Sequence, residues 1–168
     1  MKMKADGLPD RELKDFLVTY IVGQGAFGRV YFAELEDESS QKFAIKAIRK
    51  DKLVEKGAIA STFIELQILQ SSKHPFIAQL LYFFSTEERF YFVMPFIGGG
   101  ALNKVLTQAK KFNEREIKFY ATQLVLGLKY LHDSDIMHRD LKLENLLLDE
   151  NGYLKIVDFG VSLVCRHN

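Results

Sequence analysis

The chain has 168 residues, a length that suits one domain or slightly more. Of these residues 48% are hydrophobic, which is enough for a sizeable core. Its 23 basic and 22 acidic side chains leave a net charge of +1, which gives no electrostatic reason to expect binding to nucleic acid or an anionic membrane. A single cysteine, Cys165, excludes an internal disulfide framework, and no apolar run is long enough to span a bilayer. These features predict a soluble cytoplasmic protein.

The first half of the chain reads mainly as β-strands. Residues 1–15 form a polar lead-in. Segments rich in β-branched and aromatic residues then predict strands at residues 16–22, 30–33, 43–48, 77–84 and 90–94, with a charged turn at 36–41. One helix is predicted at residues 58–70, and Pro75 prevents any continuation of it. The region 16–97 is therefore predicted to be a five-stranded antiparallel sheet with one helix.

After three glycines at 98–100 the pattern becomes helical. A short helix is predicted at residues 101–110, and a longer one begins at Asn113, where Glu116 completes a capping pair. Apolar residues at helical spacing predict one buried stripe along the long helix: Ile117, Ala121, Leu124, Leu128 and Leu131. We expect residues 98–168 to form a second region, with a hinge at 95–100.

Two short strands follow the long helix, at residues 146–148 and 154–157. Asn151 and Gly152 lie between them, and this dipeptide favours the tight turn of a β-hairpin.

A glycine-rich segment, Gly23-Gln24-Gly25-Ala26-Phe27-Gly28, lies between the first two predicted strands. Glycines let backbone N–H groups approach phosphate oxygens, because no Cβ stands in the way. The same spacing occurs in dinucleotide folds, but there the loop opens a helix, whereas a strand is predicted to follow it here. The segment therefore predicts a hairpin over a phosphate group, with an ordinary glycine turn as the alternative.

Lys46 lies midway along an apolar strand, and Glu65 lies nineteen residues later on the predicted helix. A lysine that contacts phosphate needs a counter-charge to hold its flexible stem, and Glu65 is a candidate for that partner. Two simpler readings stay open. Lys46 could extend from an edge strand into water, and Glu65 could be solvated on the helix surface.

The strongest chemical signal is the run His138-Arg139-Asp140-Leu141-Lys142-Leu143-Glu144-Asn145, which Asp158-Phe159-Gly160 follows. Asp140 is the candidate base that orients a hydroxyl, and Lys142 could neutralise charge on a transferred phosphoryl group. Asn145 and Asp158 offer the oxygen ligands that Mg²⁺ prefers. Each residue alone could be a polar loop cap, but the set at these intervals favours phosphoryl transfer.

The four histidines, at positions 74, 132, 138 and 167, lack the paired spacing of a metal site. His138 is predicted to be a packed structural residue instead.

From Phe16 to its end the chain resembles the eukaryotic protein kinase family, because these motifs occur in the family's order and at its spacing. The resemblance implies an α+β, two-lobed fold: an antiparallel-sheet N-lobe at 16–97 that binds ATP, and a mainly helical C-lobe at 98–168 that carries the catalytic loop and the metal-binding Asp-Phe-Gly. ATP would bind between the lobes.

The resemblance also implies roles for individual residues. Gly23, Gly25 and Gly28 would cover the phosphates, and Lys46 would contact them while paired to Glu65. Met94 matches the gatekeeper that precedes the hinge strand. The adenine would be sandwiched by four apolar residues: Val22, Val30, Ala44 and Leu147.

Lys142, two residues after Asp140, resembles the serine/threonine class, and His74-Pro75-Phe76 is similar to the group that contains protein kinases A and C. The implied partners are ATP, Mg²⁺ and a protein substrate that bears serine or threonine. No regulatory partner is indicated.

The family continues well past Asp-Phe-Gly, whereas this sequence has eight residues after Gly160. We therefore expect an incomplete C-lobe, truncated in the activation segment, with exposed apolar surface on the long helix and poor stability. A catalytically inactive module that binds ATP or a partner is the alternative function.

Overall fold

The structure is a computed structural model that describes residues 11–36 and 41–165. The lead-in before residue 11, residues 37–40 of the predicted turn and His167 lie outside these ranges. Two compact units are present: Met1–Thr62 with Gln79–Phe96, and Phe63–Ala78 with Ile97–Asn168. They are called the N-terminal and C-terminal units below. No helix in the described ranges has the length and apolar character that crossing a membrane requires.

The N-terminal unit contains one five-stranded antiparallel sheet, as predicted. Its strands lie in the order β1-β2-β3-β5-β4. Their bounds are β1 Phe16–Gln24, β2 Gly28–Leu35, β3 Lys42–Arg49, β4 Tyr82–Ser85 and β5 Arg89–Pro95. A 3-10 turn at Leu13–Asp15 precedes β1.

Two predictions for the first half need correction. The strand predicted at 77–84 begins only at Tyr82; Ile77 instead forms a parallel bridge with Ile156 inside the C-terminal unit. The predicted helix is present as α2 (Ile59–Ser71), but an additional helix, α1 (Lys50–Glu55), precedes it. The sequence pattern missed α1 because a single buried side chain, Leu53, anchors this charged segment, so no apolar periodicity exists.

The two faces of the sheet differ in character. Alternation along β3 puts Phe43, Ile45 and Ala47 on one face, where they join the buried core with residues from the other four strands. Ala44 and Lys46 therefore lie on the opposite face. Cross-strand pairing extends this second face into two rows, Val30–Lys46–Phe92 and Phe32–Ala44–Met94.

Besides Phe63–Ser71 of α2, the described part of the C-terminal unit contains two helices and two small antiparallel ladders. The helices are α3 (Leu102–Ala109) and α4 (Glu114–Asp133), and they confirm the predicted pair. The ladders are β6 (Ile136–Met137) with β9 (Leu163–Val164) and β7 (Leu146–Leu148) with β8 (Leu154–Ile156). The predicted cap is also present: the Asn113 side chain accepts from the Glu116 N–H, and Glu116 accepts from the Asn113 N–H.

The buried face of α4 differs from the predicted stripe. Ile117 is 54% exposed and Ala121 is also exposed, while Gln123 and Gly127 are buried. Leu124 and Leu128 are half-buried, and Leu131 is fully buried.

The reason is that α4 packs on β8. A Cβ at Gly127 would lie 2.8 Å from Ile156 Cδ1, so glycine permits the close approach. Gln123 accepts a hydrogen bond from the Leu154 N–H at 2.8 Å. A buried polar side chain with this backbone partner outweighs the apolar periodicity in deciding which face of the helix is covered.

The β7–β8 hairpin is confirmed, but its turn lies one residue earlier than predicted. The Gly152 N–H donates to the Asp149 carbonyl, so Asn151 and Gly152 occupy the last two turn positions. The Asp149 carboxylate accepts from the backbone N–H groups of Asn151 and Tyr153, each at 2.9 Å. These local hydrogen bonds to the Asp149 side chain favour a turn that begins at Asp149.

Candidate active site

The glycine-rich segment forms the tip of the β1–β2 hairpin. Gly23 pairs with Val30, Gln24 pairs with Arg29, and the Gly25 N–H donates to the Gly28 carbonyl at 2.9 Å. The predicted hairpin is confirmed, and the helix start of a dinucleotide fold is excluded.

The glycines of this hairpin are required for different reasons. A Cβ on Gly28 would lie 1.9 Å from the Ala47 carbonyl oxygen, so any larger residue collides with β3. A Cβ on Gly25 would meet no atom within 4 Å, and one on Gly23 would make only ordinary contacts with Val30. Gly28 is therefore needed for packing within the sheet, whereas Gly25 leaves the backbone open to an approaching group.

Lys46 lies in β3, which is flanked by β2 and β5, so it does not extend from an edge strand. Its side chain is half-buried. Val30, Ala44 and Met94 share its face of the sheet, so four of the predicted ATP-contacting residues come together on one surface.

Glu65 is buried, with 3% of its surface exposed, so the solvated reading of this residue is wrong. A Cβ built on Gly160 would lie 3.4 Å from Asp158 Oδ1 and 3.7 Å from Glu65 Oε2. Gly160 therefore lies between two carboxylates of the C-terminal unit. Lys46 belongs to the N-terminal unit, and its pairing with Glu65 stays a prediction.

Asp140 is held by two neighbouring side chains. Its Oδ2 atom accepts from Lys142 Nζ at 2.7 Å and from Asn145 Nδ2 at 3.0 Å. Asn145 Nδ2 also donates to the Asp140 carbonyl at 2.8 Å. Lys142 and Asn145, two of the predicted site residues, thus fix one carboxylate oxygen of Asp140. The side chains of Lys142 and Asp140 nevertheless remain accessible to solvent.

These bonds set the protonation of the pair. The hydrogen bond from Lys142 lowers the pKa of Asp140 below its usual value; partial desolvation opposes this, and the bond from Asn145 and the lysine charge add to the lowering. The same bond raises the pKa of Lys142. At neutral pH Asp140 is therefore a carboxylate and Lys142 a cation, so Asp140 is suited to orient a hydroxyl.

Asn145 and Asp158 fit the ligand chemistry of Mg²⁺. Both side-chain hydrogen bonds of Asn145 use its nitrogen, which leaves the amide oxygen for a cation. The Asn145 carbonyl accepts from the Val157 N–H at 3.0 Å, and this bond ties Asn145 to the residue before Asp158. A carboxylate and an amide oxygen are hard donors of the kind that Mg²⁺ prefers when phosphate oxygens complete its coordination.

His138 is buried and packed, as predicted for a structural residue. Its Nε2 lies 3.0 Å from the Val157 carbonyl, and its Nδ1 accepts from the Asp140 N–H at 3.3 Å. Its ring packs at 5.0 Å from the ring of Phe159. The imidazole therefore connects the backbone of the catalytic candidate to the Asp-Phe-Gly segment.

Two further side chains, those of Arg139 and Ser162, form hydrogen bonds beside the candidate residues, and the sequence pattern assigned neither of them a role. Arg139 Nε donates to the Val161 carbonyl at 2.6 Å, and Ser162 Oγ donates to the His138 carbonyl at 3.1 Å. Arg139 has a φ of 65° and Asp158 one of 63°, a region that non-glycine residues rarely adopt. Left-handed backbone at or beside the candidate residues indicates local strain that surrounding contacts maintain. The sequence signal that could have identified Arg139 as part of the candidate site is its position next to Asp140.

The remaining predicted adenine contacts are separated between the units. Val22 is exposed on β1, and Leu147 is half-buried on β7, where it bridges to Ala101. Among the described residues no group of three or more histidine, cysteine or acidic side chains could hold a metal ion.

Comparison with known proteins gives a consistent result. The family model described as "Protein kinase domain" matches residues 16–168. The chain is 40% identical over 150 residues to a probable serine/threonine-protein kinase of Dictyostelium discoideum, covering 89% of this chain and 33% of that protein.

Two further relatives are similar. RAC-beta serine/threonine-protein kinase of Homo sapiens is 39% identical over 149 residues, which is 89% of this chain and 31% of the relative. Serine/threonine-protein kinase akt-2 of Caenorhabditis elegans is 42% identical over 149 residues, which is 89% of this chain and 28% of the relative. The chain spans about a third of the length of the curated relatives it matches.

Proposed function

Since this chain belongs to the protein kinase domain family, we propose that it carries the ATP-binding and catalytic-loop portion of a serine/threonine protein kinase. The observation that carries the proposal is the hydrogen-bonded set Asp140, Lys142 and Asn145, tied through the Val157 N–H to Asp158. Such a set can orient a hydroxyl and stabilise phosphoryl charge, which is most of what phosphoryl transfer requires from a protein.

The C-terminal unit would perform the chemistry. The substrate oxygen bonds to the γ-phosphorus of ATP, the bond from that phosphorus to the bridging oxygen breaks, and ADP leaves with the electron pair. The hydroxyl proton passes to Asp140, and Lys142 offsets charge on the transferring group. Asn145 and Asp158 would hold Mg²⁺, which when bound neutralises phosphate charge. Asp140's lowered pKa suits orientation of the hydroxyl more than early proton removal.

The N-terminal unit would supply most of the contacts to ATP. The backbone at Gly25 and Gly23 would approach the phosphates. Gly28 packs the hairpin that carries these two residues against β3. Lys46 would contact phosphate, with Glu65 as its proposed counter-charge. Adenine would lie against apolar side chains that include Val22, Val30, Ala44, Met94 and Leu147.

Selectivity for serine and threonine rests on Lys142 and on the relatives, two of which are named serine/threonine-protein kinases and the third a probable one. A protein bearing such a hydroxyl is the proposed substrate. The cytoplasm, where ATP is available, is the proposed location.

The test is transfer of ³²P from labelled ATP to mixed peptide libraries that contain serine and threonine or tyrosine, with the longest native form of the polypeptide. Asp140→Ala should reduce labelling of the serine/threonine library at least about 100-fold. Asp133→Ala, which removes an exposed α4 carboxylate paired with Lys129, should leave labelling unchanged. Unchanged labelling in Asp140→Ala would exclude the proposed role of this residue.

A separate binding measurement distinguishes a catalytic protein from one that binds ATP without transferring phosphate. Calorimetry should show Mg²⁺-dependent ATP binding that Lys46→Met and Asp158→Asn weaken. Binding without phosphate transfer in the unmodified protein would favour the ATP-binding module. The absence of any nucleotide binding would reject both functions.

A further inference from the structure

Four aromatic rings form a continuous strip on the C-terminal unit. Neighbouring rings of this aromatic strip have centroids 5.3, 5.5 and 5.9 Å apart, in the order Phe112, Tyr120, Phe119 and Tyr153. The rings come from the residue before the cap of α4, from the first half of α4 and from the connection between β7 and β8. None of the four belongs to the catalytic or nucleotide-binding candidates.

The aromatic strip is accessible to solvent. Tyr153 is 48% exposed and Phe119 is 44% exposed, while Phe112 and Tyr120 are half-buried. The strip is separate from the candidate active site, because Tyr153 lies at the turn end of the β7–β8 hairpin and Asn145 precedes β7 at the other end. A contiguous exposed apolar patch of this kind is typical of an interaction surface.

One end of the aromatic strip is basic. Lys110 and Lys111 directly precede Phe112 in the chain. Arg115 lies four residues before Phe119 on α4, so the arginine and this ring share one side of the helix. All three cationic side chains are exposed and can therefore reach a ligand that lies on the rings.

Two carboxylates lie in the same segment, and both have partners within it. Glu114 pairs with Lys118 at 2.6 Å, and Glu116 accepts from the Asn113 N–H in the helix cap. Residues 110–118 contain four cations and two carboxylates, so the segment keeps a net charge of +2. A ligand with negative charge is therefore attracted to this end of the strip.

The other end of the aromatic strip is acidic. Asp149 and Glu150 lie in the turn that leads to Tyr153, and the Asp149 carboxylate accepts from the Tyr153 N–H at 2.9 Å. A nucleic acid or an anionic membrane would bring negative charge to both ends of the strip and would be repelled here. A peptide avoids this conflict, because it can carry acidic side chains at one end only. Charge complementarity therefore favours a peptide.

We propose that the aromatic strip is a docking site for a peptide segment of a partner protein, in which apolar side chains pack on the rings and acidic side chains face Lys110, Lys111 and Arg115. Packing on the aromatic rings would supply most of the affinity. The charges would orient the peptide and exclude basic sequences. Docking at this surface does not require phosphoryl transfer, so it is independent of the proposed function.

Synthetic peptides test this site in the longest native form of the polypeptide. The probe joins a run of aspartates to phenylalanine and leucine, and the matched control carries lysines in place of the aspartates. Calorimetry should detect binding of the aspartate peptide but not of the lysine peptide. Hydrogen exchange measured by mass spectrometry should slow in residues 110–120 and 149–154 when the aspartate peptide binds.

Several outcomes would overturn the docking site. The first is no binding of the aspartate peptide, as expected if another part of the same polypeptide covers the rings. The second is protection confined to other segments. Single-stranded oligodeoxythymidine and phosphatidylserine vesicles are the competing polyanions, and protection of 110–120 by either of them at a lower concentration than the peptide needs would overturn the choice of a peptide.

Two charge reversals test the basic end. Arg115→Glu should weaken binding of the aspartate peptide at least about fivefold, because it replaces an attraction by a repulsion. An acidic residue is favourable in the first turn of α4, so this variant should fold. Lys73→Glu makes the same change of charge near the opposite end of α4, where the Lys73 N–H bonds Tyr130, and should leave the affinity unchanged. Equal affinities in the two variants would overturn the basic contact.

A pair of tyrosine variants tests the rings. Tyr153→Ala should weaken binding of the aspartate peptide about fivefold to tenfold, because it removes an exposed ring from the strip. Tyr20→Ala removes a similarly exposed ring from β1 and should leave the affinity unchanged. Far-ultraviolet circular dichroism verifies that each variant is folded. An unaltered affinity in Tyr153→Ala would overturn the role of this ring.

Discussion

At the scale of single residues, the structure shows that residues of one sequence motif differ in their contacts. Gly25 and Gly28 belong to one glycine pattern, yet only at Gly28 would an added Cβ collide with a neighbouring strand. Asp140 and Asn145 are five residues apart in sequence and directly hydrogen-bonded in the fold. Motif spacing predicts which residues to examine, whereas local contacts decide what each of them can do.

The two glycines give the first prediction. Gly28→Ala should lower the free energy of unfolding by about 1–3 kcal/mol or more, because its Cβ would overlap the Ala47 carbonyl. Gly25→Ala should change stability by less than about 0.5 kcal/mol, since space is available around it. Urea denaturation of both variants measures the difference, and equal losses of stability would contradict it.

The Asp140–Lys142 pair gives the second prediction. Lys142→Met should raise the pKa of Asp140 toward its usual value of 3.8, because the largest cause of the lowering is removed. A carboxylate whose pKa is depressed in the folded state contributes stability above pH 3.8, and this contribution is lost as the pH falls through the folded pKa. The loss of folding stability at acidic pH that Asp140 causes should therefore be smaller in Lys142→Met.

Carbon-detected NMR titration of the Asp140 carboxyl group measures this pKa directly. Lys118→Met is the control, because it removes a different lysine–carboxylate pair, with Glu114 on the exposed surface of α4. An Asp140 midpoint that stays unchanged in Lys142→Met would show that the lysine contact does not set this pKa.

At the scale of secondary-structure elements, the long helix illustrates both the success and the limit of sequence patterns. Its start is determined by a local exchange of hydrogen bonds between Asn113 and Glu116, which a sequence motif describes well. Its buried face depends on contact with β8, where Gln123 and Gly127 are covered and Ile117 is not. Local chemistry is therefore predictable from the sequence, whereas the packed face is not.

The cap of α4 gives the third prediction. Asn113→Ala should destabilise the protein by about 1 kcal/mol, because it leaves the Glu116 N–H without its side-chain acceptor. Asn151→Ala is the matched control, since that exposed residue bonds through its backbone N–H and not through its side chain. Thermal unfolding measures both, and hydrogen exchange should accelerate in the first turn of α4 only in Asn113→Ala. Equal melting temperatures would argue against the cap.

At the scale of the whole molecule, α4 exposes apolar surface as predicted, but of the predicted stripe only Ile117 and Ala121 are exposed. Four large apolar side chains on this helix are exposed: Ile117 at 54%, Phe119 at 44%, Val125 at 62% and Leu126 at 46%. Poor stability in isolation stays a prediction.

This surface gives the fourth prediction. The double variant Val125→Lys, Leu126→Lys should bind less of a hydrophobic fluorescent dye, while its melting temperature changes little because neither side chain is buried. Leu131→Ala should do the reverse: it truncates a fully buried residue and should cost about 2–5 kcal/mol. Dye fluorescence below the melting transition distinguishes the two, and undiminished binding by the double variant would locate the apolar surface elsewhere.

The sequence by itself determined the five-stranded sheet, the hairpin at Gly23–Gly28, the two C-terminal helices and the cluster around Asp140, because strand alternation, turn chemistry and motif spacing act over short stretches of chain. Only the tertiary structure decided that Glu65 is buried and that Arg139 donates to the backbone at Val161. It also decided which face of α4 is covered. Burial and long-range hydrogen bonds depend on which distant segments meet, and no local pattern contains that information.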